Sequence, residues 1–339
     1  SSLRSKRSTK RVQPSRAGEC NSRSGHMKGV PRCTIILPTH NRLATLPRAV
    51  ASVIAQNEAD FELIIIDDGS TDGTPAWLAT LDDPRIRIAR SELSRGPSVA
   101  RNTGIDMAIA PVLAFLDSDD IYCDNRLSVP LAVFDREPDV ICTLSSARKE
   151  DKLGGTTLSL LPDVKLASPA FGWAMICDLV GVESTSITVR TAHARRVGGF
   201  CTRLRRAEDR EFLIRLSRLG AVRILPGALF EKSWSMDGLS NQWASAGHEL
   251  VSYFRERPEY TGRYRKVGQY LATKTLTMHI RHGDFASFIG DARRFYSIGL
   301  LDEGVVHLCR SHLQLKKYRR EASKQQALAS LIGAPSDWT

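Results

Sequence analysis

Between Cys33 and Leu219 the apolar positions recur in two alternating rhythms. Thr34-Ile35-Ile36-Leu37 is a short continuous apolar run of the kind a buried strand needs, and Leu43, Leu46, Val50 and Val53 come after it at helical spacing. Residues 61–66 repeat the strand pattern and end in Asp67-Asp68-Gly69-Ser70-Thr71-Asp72-Gly73, a mixture of turn formers and helix N-cap residues ahead of Trp77 and Leu78. Residues 85–88 alternate as a short strand, 99–110 predict a helix, and 111–116 and 140–144 predict strands. Strands alternating with helices predict an α/β fold, a mostly parallel sheet with helices on both faces. Ligands of such sheets bind beyond the carboxyl ends of the strands, and segments 38–42, 67–72 and 117–120 fall there.

The second half reads less regularly. Residues 149–169 carry Gly154-Gly155, Thr156-Thr157 and two prolines, which predicts a long flexible excursion. Beyond it 185–190 predict a strand, Gly198-Gly199-Phe200 a turn, 208–219 a helix with Phe212, Leu213, Leu216 and Leu219 on one face, and 228–234 a strand. From Gln242 the pattern is helical. The expected organisation is a tail over 1–32, an α/β domain over 33–240 with halves 33–125 and 126–240, and a helical region over 241–339.

Charge alters the picture at the N-terminus only. The chain has 339 residues, 42% of them apolar, and a net charge of +11. Residues 1–32 hold nine Lys/Arg against one acid, Glu19, so +8 belongs to that tail and +3 to everything else. Such a segment cannot bury a core and is expected to be disordered. It suits anionic lipid or nucleic acid, or a solvated leader. The near-balanced remainder argues against a nucleic-acid-binding module. Seven scattered cysteines without a C-x-x-C spacing point to reduced thiols rather than disulfides or zinc. With no apolar run of membrane-spanning length and no secretory h-region, a cytoplasmic location is expected.

The most informative chemistry is the run Phe115-Leu116-Asp117-Ser118-Asp119-Asp120, three carboxylates at the end of an apolar strand. One acid suffices to cap the next turn of chain. Three within four residues repel one another unless a cation or donors compensate, and hard oxygen ligands there suit a divalent cation that bridges to phosphates.

Five segments, in order, resemble the inverting family 2 glycosyltransferases of GT-A fold: Ile36-Leu37-Pro38-Thr39-His40-Asn41-Arg42, Ile65-Ile66-Asp67-Asp68-Gly69-Ser70-Thr71-Asp72, Ala100-Arg101-Asn102-Thr103-Gly104, the Phe115 run, and Val197-Gly198-Gly199-Phe200 with Glu208-Asp209 after it. The resemblance covers roughly residues 33–235 and makes the domain a nucleotide-diphospho-sugar transferase with a helical C-terminal region beyond it. It implies transfer of a sugar from a nucleotide-sugar donor, usually a UDP-sugar, to a saccharide or lipid-linked acceptor in polysaccharide or glycoconjugate synthesis. By resemblance Pro38, Thr39, Asn41, Asp68, Arg101, Asn102, Asp117 and Asp119 serve the nucleotide, Asp68 contacting the base. Asp119 and Asp120 would hold Mn²⁺ or Mg²⁺, whose preference for oxygen ligands the acids meet. Asp209 is the expected catalytic base, with Glu208 second. Trp173, Gly199 and Trp234 are candidates for the acceptor side, the tryptophans either stacking on sugar or packing the core.

One departure stands out. Where many relatives supply a further histidine, this chain reads Glu231-Lys232-Ser233-Trp234-Ser235-Met236, leaving Lys232 or His248 to substitute. A sugar-1-phosphate nucleotidylyltransferase is the nearest alternative, but the loop at 38–42 lacks the glycines that chemistry needs. A phosphatase with an Asp-x-Asp nucleophile would leave Asp68 unexplained. Near the C-terminus, Lys316, Lys317, Arg319, Arg320 and Lys324 stand among Leu313, Leu315, Leu328 and Leu331, which suits peripheral contact with an anionic membrane or a helical appendage that packs on the domain.

Overall fold

The apolar run that opens at Cys33 becomes an interior strand of a ten-stranded mixed sheet. The computed structural model describes residues 29–151, 153–168, 170–176, 180–204, 206–234, 246–258, 262 and 265–301. In chain order the elements are β1 (Cys33–Thr39), α1 (Leu46–Ile54), β2 (Phe61–Asp68), α2 (Thr74–Leu78), β3 (Ile86–Ser91), α3 (Pro97–Met107), β4 (Val112–Phe115), β5 (Ile121–Tyr122), α4 (Ser128–Arg136) and β6 (Val140–Glu150). They continue with β7 (Thr156–Ser159), β8 (Val164–Leu166), α5 (Ala170–Ile176), β9 (Ile187–Arg190), α6 (Thr191–Arg196), α7 (Glu208–Leu216) and β10 (Ala221–Lys232). Three helices complete the described chain, α8 (Ala246–Glu256), α9 (Arg265–His282) and α10 (Phe285–Ser297).

The sheet order is β3-β2-β1-β4-β9-β6-β10-β5, with β7 added on β6 and β8 on β10. The strands β3, β2, β1 and β4 are mutually parallel, as the alternation predicts, and β6 and β10 are parallel to each other. Between these blocks β9 runs antiparallel to both neighbours. Successive side chains of a strand face opposite sides, so Ile36 of β1 joins Ile64, Phe115, Phe200 and Phe212 in one core layer. Ile35 and Leu37 join Leu63, Ile65, Val50 and Leu131 in the other. Burial on both faces is why β1 and β2 read as unbroken apolar runs.

The stretch 149–169 corrects the sequence reading. It is not an excursion: β6 continues to Glu150, turns, and returns as β7, after which β8 pairs with β10. Asp151 makes the turn by accepting from the amides of Leu153 and Gly155 through Oδ1, and Gly154 supplies a positive φ. The strand expected at 228–234 is also longer, because β10 passes through Pro226-Gly227 by shifting register between Leu225 and Ala228.

Beyond the sheet, Leu204 and Ile214 share a third apolar cluster with Leu250, Tyr253, Phe254, Leu271 and Phe295 of α8–α10. The helical reading of the C-terminal region holds through α10. Of the basic tail over 1–32, residues 1–28 lie outside the described residues, as do the Lys/Arg-rich stretch beyond 301 and the side chains of Trp173 and His248, while Arg32 ion-pairs with Glu58 and Asp135. Cys33, Cys123, Cys142 and Cys201 are free thiols, and burial pushes Cys33 up to about 12. Among the described residues no helix is long and apolar enough to cross a membrane.

Helix α3 sits so close to β1 that a Cβ on Gly104 would stand 2.5 Å from Ile36 Cγ2. Gly104→Val therefore overpacks the joint that seats Arg101, and a loss of about 1–3 kcal/mol is expected in urea unfolding, the usual cost of excess volume in a packed core.

Candidate functional site

The three loops predicted to carry ligands lie side by side at the carboxyl ends of β1, β2 and β4. The first two are laced together. Asn41 occupies the left-handed region at φ 51, and its Oδ1 accepts from the amides of Thr71 at 2.7 Å and Asp72 at 3.2 Å. Its own amide donates to Ser70 Oγ at 2.9 Å, and the His40 ring meets the Asp68 carbonyl through Nδ1 at 2.8 Å. Asn thus folds this corner, because a short amide side chain tolerates the left-handed backbone and accepts from nearby N–H groups.

Asp68 occupies the strand end expected of it, yet its carboxylate is spent on the protein. It accepts from Ser94 Oγ at 2.8 Å, from the Arg95 amide at 3.0 Å and from the Gly96 amide at 2.8 Å, fastening the 94–96 loop at the start of α3. Gly69, at φ 74, lets that loop approach, since a Cβ would lie 2.7 Å from Ser94 N. Thr39 differs from its neighbours in the set: it is buried at the end of β1 with its hydroxyl unpartnered.

Arg101 joins two acid groups that the sequence keeps far apart. Its side chain, 5% exposed, donates through Nη2 to Asp117 Oδ1 at 2.7 Å and through Nη1 to Glu208 Oε1 at 3.1 Å. The guanidinium lies 5.3 Å from the centroid of Phe200, which stacks on Phe212 and meets Phe115 edge-on. Asn102, next to it, clamps the turn instead of reaching outward: Nδ2 donates to the Phe200 carbonyl at 2.8 Å and Oδ1 accepts its amide at 2.7 Å. Gly199 is required there, at φ 69, because a Cβ would come within 2.3 Å of Asn102 Oδ1. From the other side Arg215 donates to the carbonyls of Val197 and Gly199, and its partner Glu211 accepts from Tyr253 at 2.6 Å.

Glu208 and Asp209 open α7 after Ala207, a non-glycine residue at φ 57, a strained conformation that the flanking contacts hold. Burial pushes Glu208 up to about 7, Asp209's charge adds to the rise, and Arg101 opposes it. Burial raises Asp209 as well, with Glu183 adding and Arg210 opposing.

In the acid run, Thr185 is the hinge pin. Its hydroxyl donates to Asp120 Oδ2 at 2.6 Å and accepts from the Asp117 amide at 3.2 Å. The buried Arg126 in turn holds the Thr185 and Ile187 carbonyls. Asp120 is buried and pushed up to about 8, mainly by burial, with Asp117 and Asp119 adding and Lys232 opposing. Asp119, half-buried, is raised by burial and by Asp117. Lys232 and Lys149 both ion-pair with Glu183, at 2.9 and 2.6 Å, and hold it down to about 2 against the effect of burial.

These groups fit a divalent cation in one respect: Asp120 Oδ1 is buried with no partner, beside the half-buried carboxylate of Asp119. Two carboxylates form part of a shell that phosphate and water oxygens complete. Among the described residues no cluster of three or more metal-ligating side chains stands ready-made. Trp234 is partly exposed, its amide donating to Glu150 at 3.3 Å, on the β6–β7 arm. Sequence reasoning missed Thr185, Glu183 and Lys149, which no motif marks.

The model of glycosyl transferase family 2 matches residues 34–196. The succinoglycan biosynthesis protein ExoO of Rhizobium meliloti is 41% identical over 98 residues, 29% of this chain and 28% of that protein. The Escherichia coli UDP-Glc:alpha-D-GlcNAc-diphosphoundecaprenol beta-1,3-glucosyltransferase WfgD is 36% identical over 100 residues, 30% of this chain and 40% of that protein. The alignments thus span well under half of these curated relatives. In fold, the chain superposes on residues 1–349 of Staphylococcus aureus TarS in complex with UDP-GlcNAc with a TM-score of 0.64 at 19% identity, covering 88% of this chain and 90% of that one. The Pyrobaculum calidifontis mannosyltransferase PcManGT, in complex with GDP-Man and Mn²⁺, gives 0.52 at 16% identity over 90% and 86%. Residues 34–196, with their laced strand-end loops and acid run, are thus similar to glycosyl transferase family 2, and the fold is that of the GT-A glycosyltransferases.

Proposed function

We propose that the chain is a glycosyltransferase that moves a sugar from a nucleotide-diphosphate sugar, of the UDP type, to an acceptor hydroxyl with inversion, in polysaccharide or glycoconjugate synthesis. The observation that carries this reading is the Arg101 bridge, which brings the acid run at the end of β4 and the acid pair at the start of α7 to one guanidinium. One acid group suits the donor's diphosphate and the other the acceptor's proton. The names of ExoO and WfgD support polysaccharide assembly, and that of WfgD a UDP-sugar and a lipid-linked acceptor.

In an inverting transfer the acceptor oxygen attacks the anomeric carbon as the bond to the diphosphate breaks, and the hydroxyl proton must leave. Asp209 is the base. A carboxylate whose proton affinity burial has raised is better matched to that task than a solvated one. Glu208 stands beside it and is anchored to Arg101, which sets the charge of the pair. On the donor side the free hydroxyl of Thr39 has a hydrogen bond to give, while Asn41 and Asp68 serve by shaping the two loops that flank the base. Asp119 and Asp120 would hold Mn²⁺ or Mg²⁺; what the bound cation supplies is positive charge against the departing diphosphate.

Asp209→Asn tests the assignment: UDP affinity by calorimetry stays near that of the parent, while sugar transfer falls roughly 10²-fold or more. Poor UDP binding with normal turnover would move Asp209 away from the acceptor.

The coupled acids supply a second measurement. With Glu208 raised to about 7, kcat/KM gains an acidic limb near neutrality, rising as the pair loses its proton. Arg101 lowers Glu208, so Arg101→Met shifts that limb to higher pH. An unmoved limb would show that the pair does not control the rate.

A further inference from the structure

Lys232 ends β10, and three independent pairings bring it to the acid run. In the antiparallel ladder of β10 with β5, Phe230 pairs with Tyr122 and Glu231 with Ile121, so Lys232 and Asp120 are the next residues beyond the ladder, and the Lys232 charge acts on the Asp120 carboxylate. In the parallel ladder with β6, Lys232 is the partner of Lys149. Glu183, which both lysines hold, lies two residues before Thr185, whose hydroxyl is bonded to Asp120.

Glu183 does not need both lysines. Lys149 engages Oε1 at 2.6 Å, and Lys232 takes Oε2 at 2.9 Å, which uses one of its three N–H donors. Arg101, the buried cation on the α3 side, is committed to Asp117 and Glu208. A diphosphate entering over Asp119 and Asp120 adds negative charge where three carboxylates already stand; Arg42 acts on Asp119, and Lys232 acts on both Asp119 and Asp120 and has donors to offer. An ammonium serves phosphate as a point charge and requires no forked geometry.

We propose that Lys232 is a protein-borne counter-charge for the donor diphosphate, so that the nucleotide is gripped even when no divalent cation is bound. This rests on the nucleotide-sugar reading above. It makes the metal an addition to an existing grip.

The test is calorimetric titration of UDP into the full chain, once with EDTA and once with Mn²⁺, for the parent, Lys232→Met, Lys232→Arg and Glu183→Gln. The parent binds UDP in EDTA and more tightly with Mn²⁺. Lys232→Met weakens binding in EDTA by about tenfold or more, the scale of one charge-assisted hydrogen bond, and by less with Mn²⁺. Lys232→Arg recovers most of the loss, and Glu183→Gln, which frees the ammonium, leaves binding in EDTA equal or tighter. If Lys232→Met and Glu183→Gln weaken binding alike, the lysine merely props Glu183 and the proposal is wrong. It is equally wrong if the parent binds UDP with Mn²⁺ but not in EDTA, or if Lys232→Met changes nothing in EDTA. Failure of the parent to bind UDP in both media sinks the nucleotide-sugar reading itself, and the lysine's role with it.

Discussion

A single buried guanidinium sets the terms for the rest of the site. Acids as enclosed as Glu208, Asp209 and Asp120 are costly to fold, since burial favours their neutral forms. Arg101 offsets part of that cost by holding Asp117 and Glu208 at once, and the α3–β1 joint at Gly104 keeps its helix close enough to do so. The arginine is also packed, not merely paired, because its face rests on Phe200 and hence on the aromatic cluster of the core. A methionine of similar length would keep the packing and lose both ion pairs. Truncating one partner of a buried charge pair is generally worse than never having had the pair, because the remaining charges stay buried.

The acids are balanced on the far side by a second, separate set of charges. Glu183 with Lys149 and Lys232 stands at the ends of β6 and β10, whereas Arg101 stands on α3. The site therefore draws its electrostatics from both halves of the sheet. The segment over 184–188, pinned by Arg126 and bonded through Thr185 to Asp117 and Asp120, is the mechanical link between the halves.

Much of this was legible in the chain, and the illegible part has physical reasons. The strands β1, β2 and β4 are buried on both faces and write themselves as apolar runs, so their ends, and the acids there, could be placed by counting. The strands β7 and β8 are short and peripheral, and β10 is interrupted by Pro226-Gly227, so their patterns resemble loop. Asp68 and Asn102 show a different limit: residues of these types can serve a nucleotide or brace local backbone, and only the fold shows that each braces a segment distant in sequence. Glu183 and Lys149 could not be read at all, because register sets Lys149 beside Lys232 and Glu183 reaches both from the chain ahead of β9, and such meetings are a property of the folded sheet.

The clamp on Gly199 carries a consequence for where this molecule can be divided. Arg215, which holds the carbonyls of the turn, is itself held by Glu211, and Glu211 accepts from Tyr253 on α8. The segment that matches the family model ends at residue 196, within sight of the turn; it includes Asn102, which clamps the turn from α3, and stops short of Arg215 and Glu211. The matched segment and the contacts that hold the turn are thus different stretches of chain. A fragment trimmed to residues 34–196 would keep the loops at the ends of β1, β2 and β4 and lose Glu208, Asp209 and the Arg215–Glu211–Tyr253 chain behind the turn, so the turn's full set of contacts needs a stretch that reaches Tyr253 in α8.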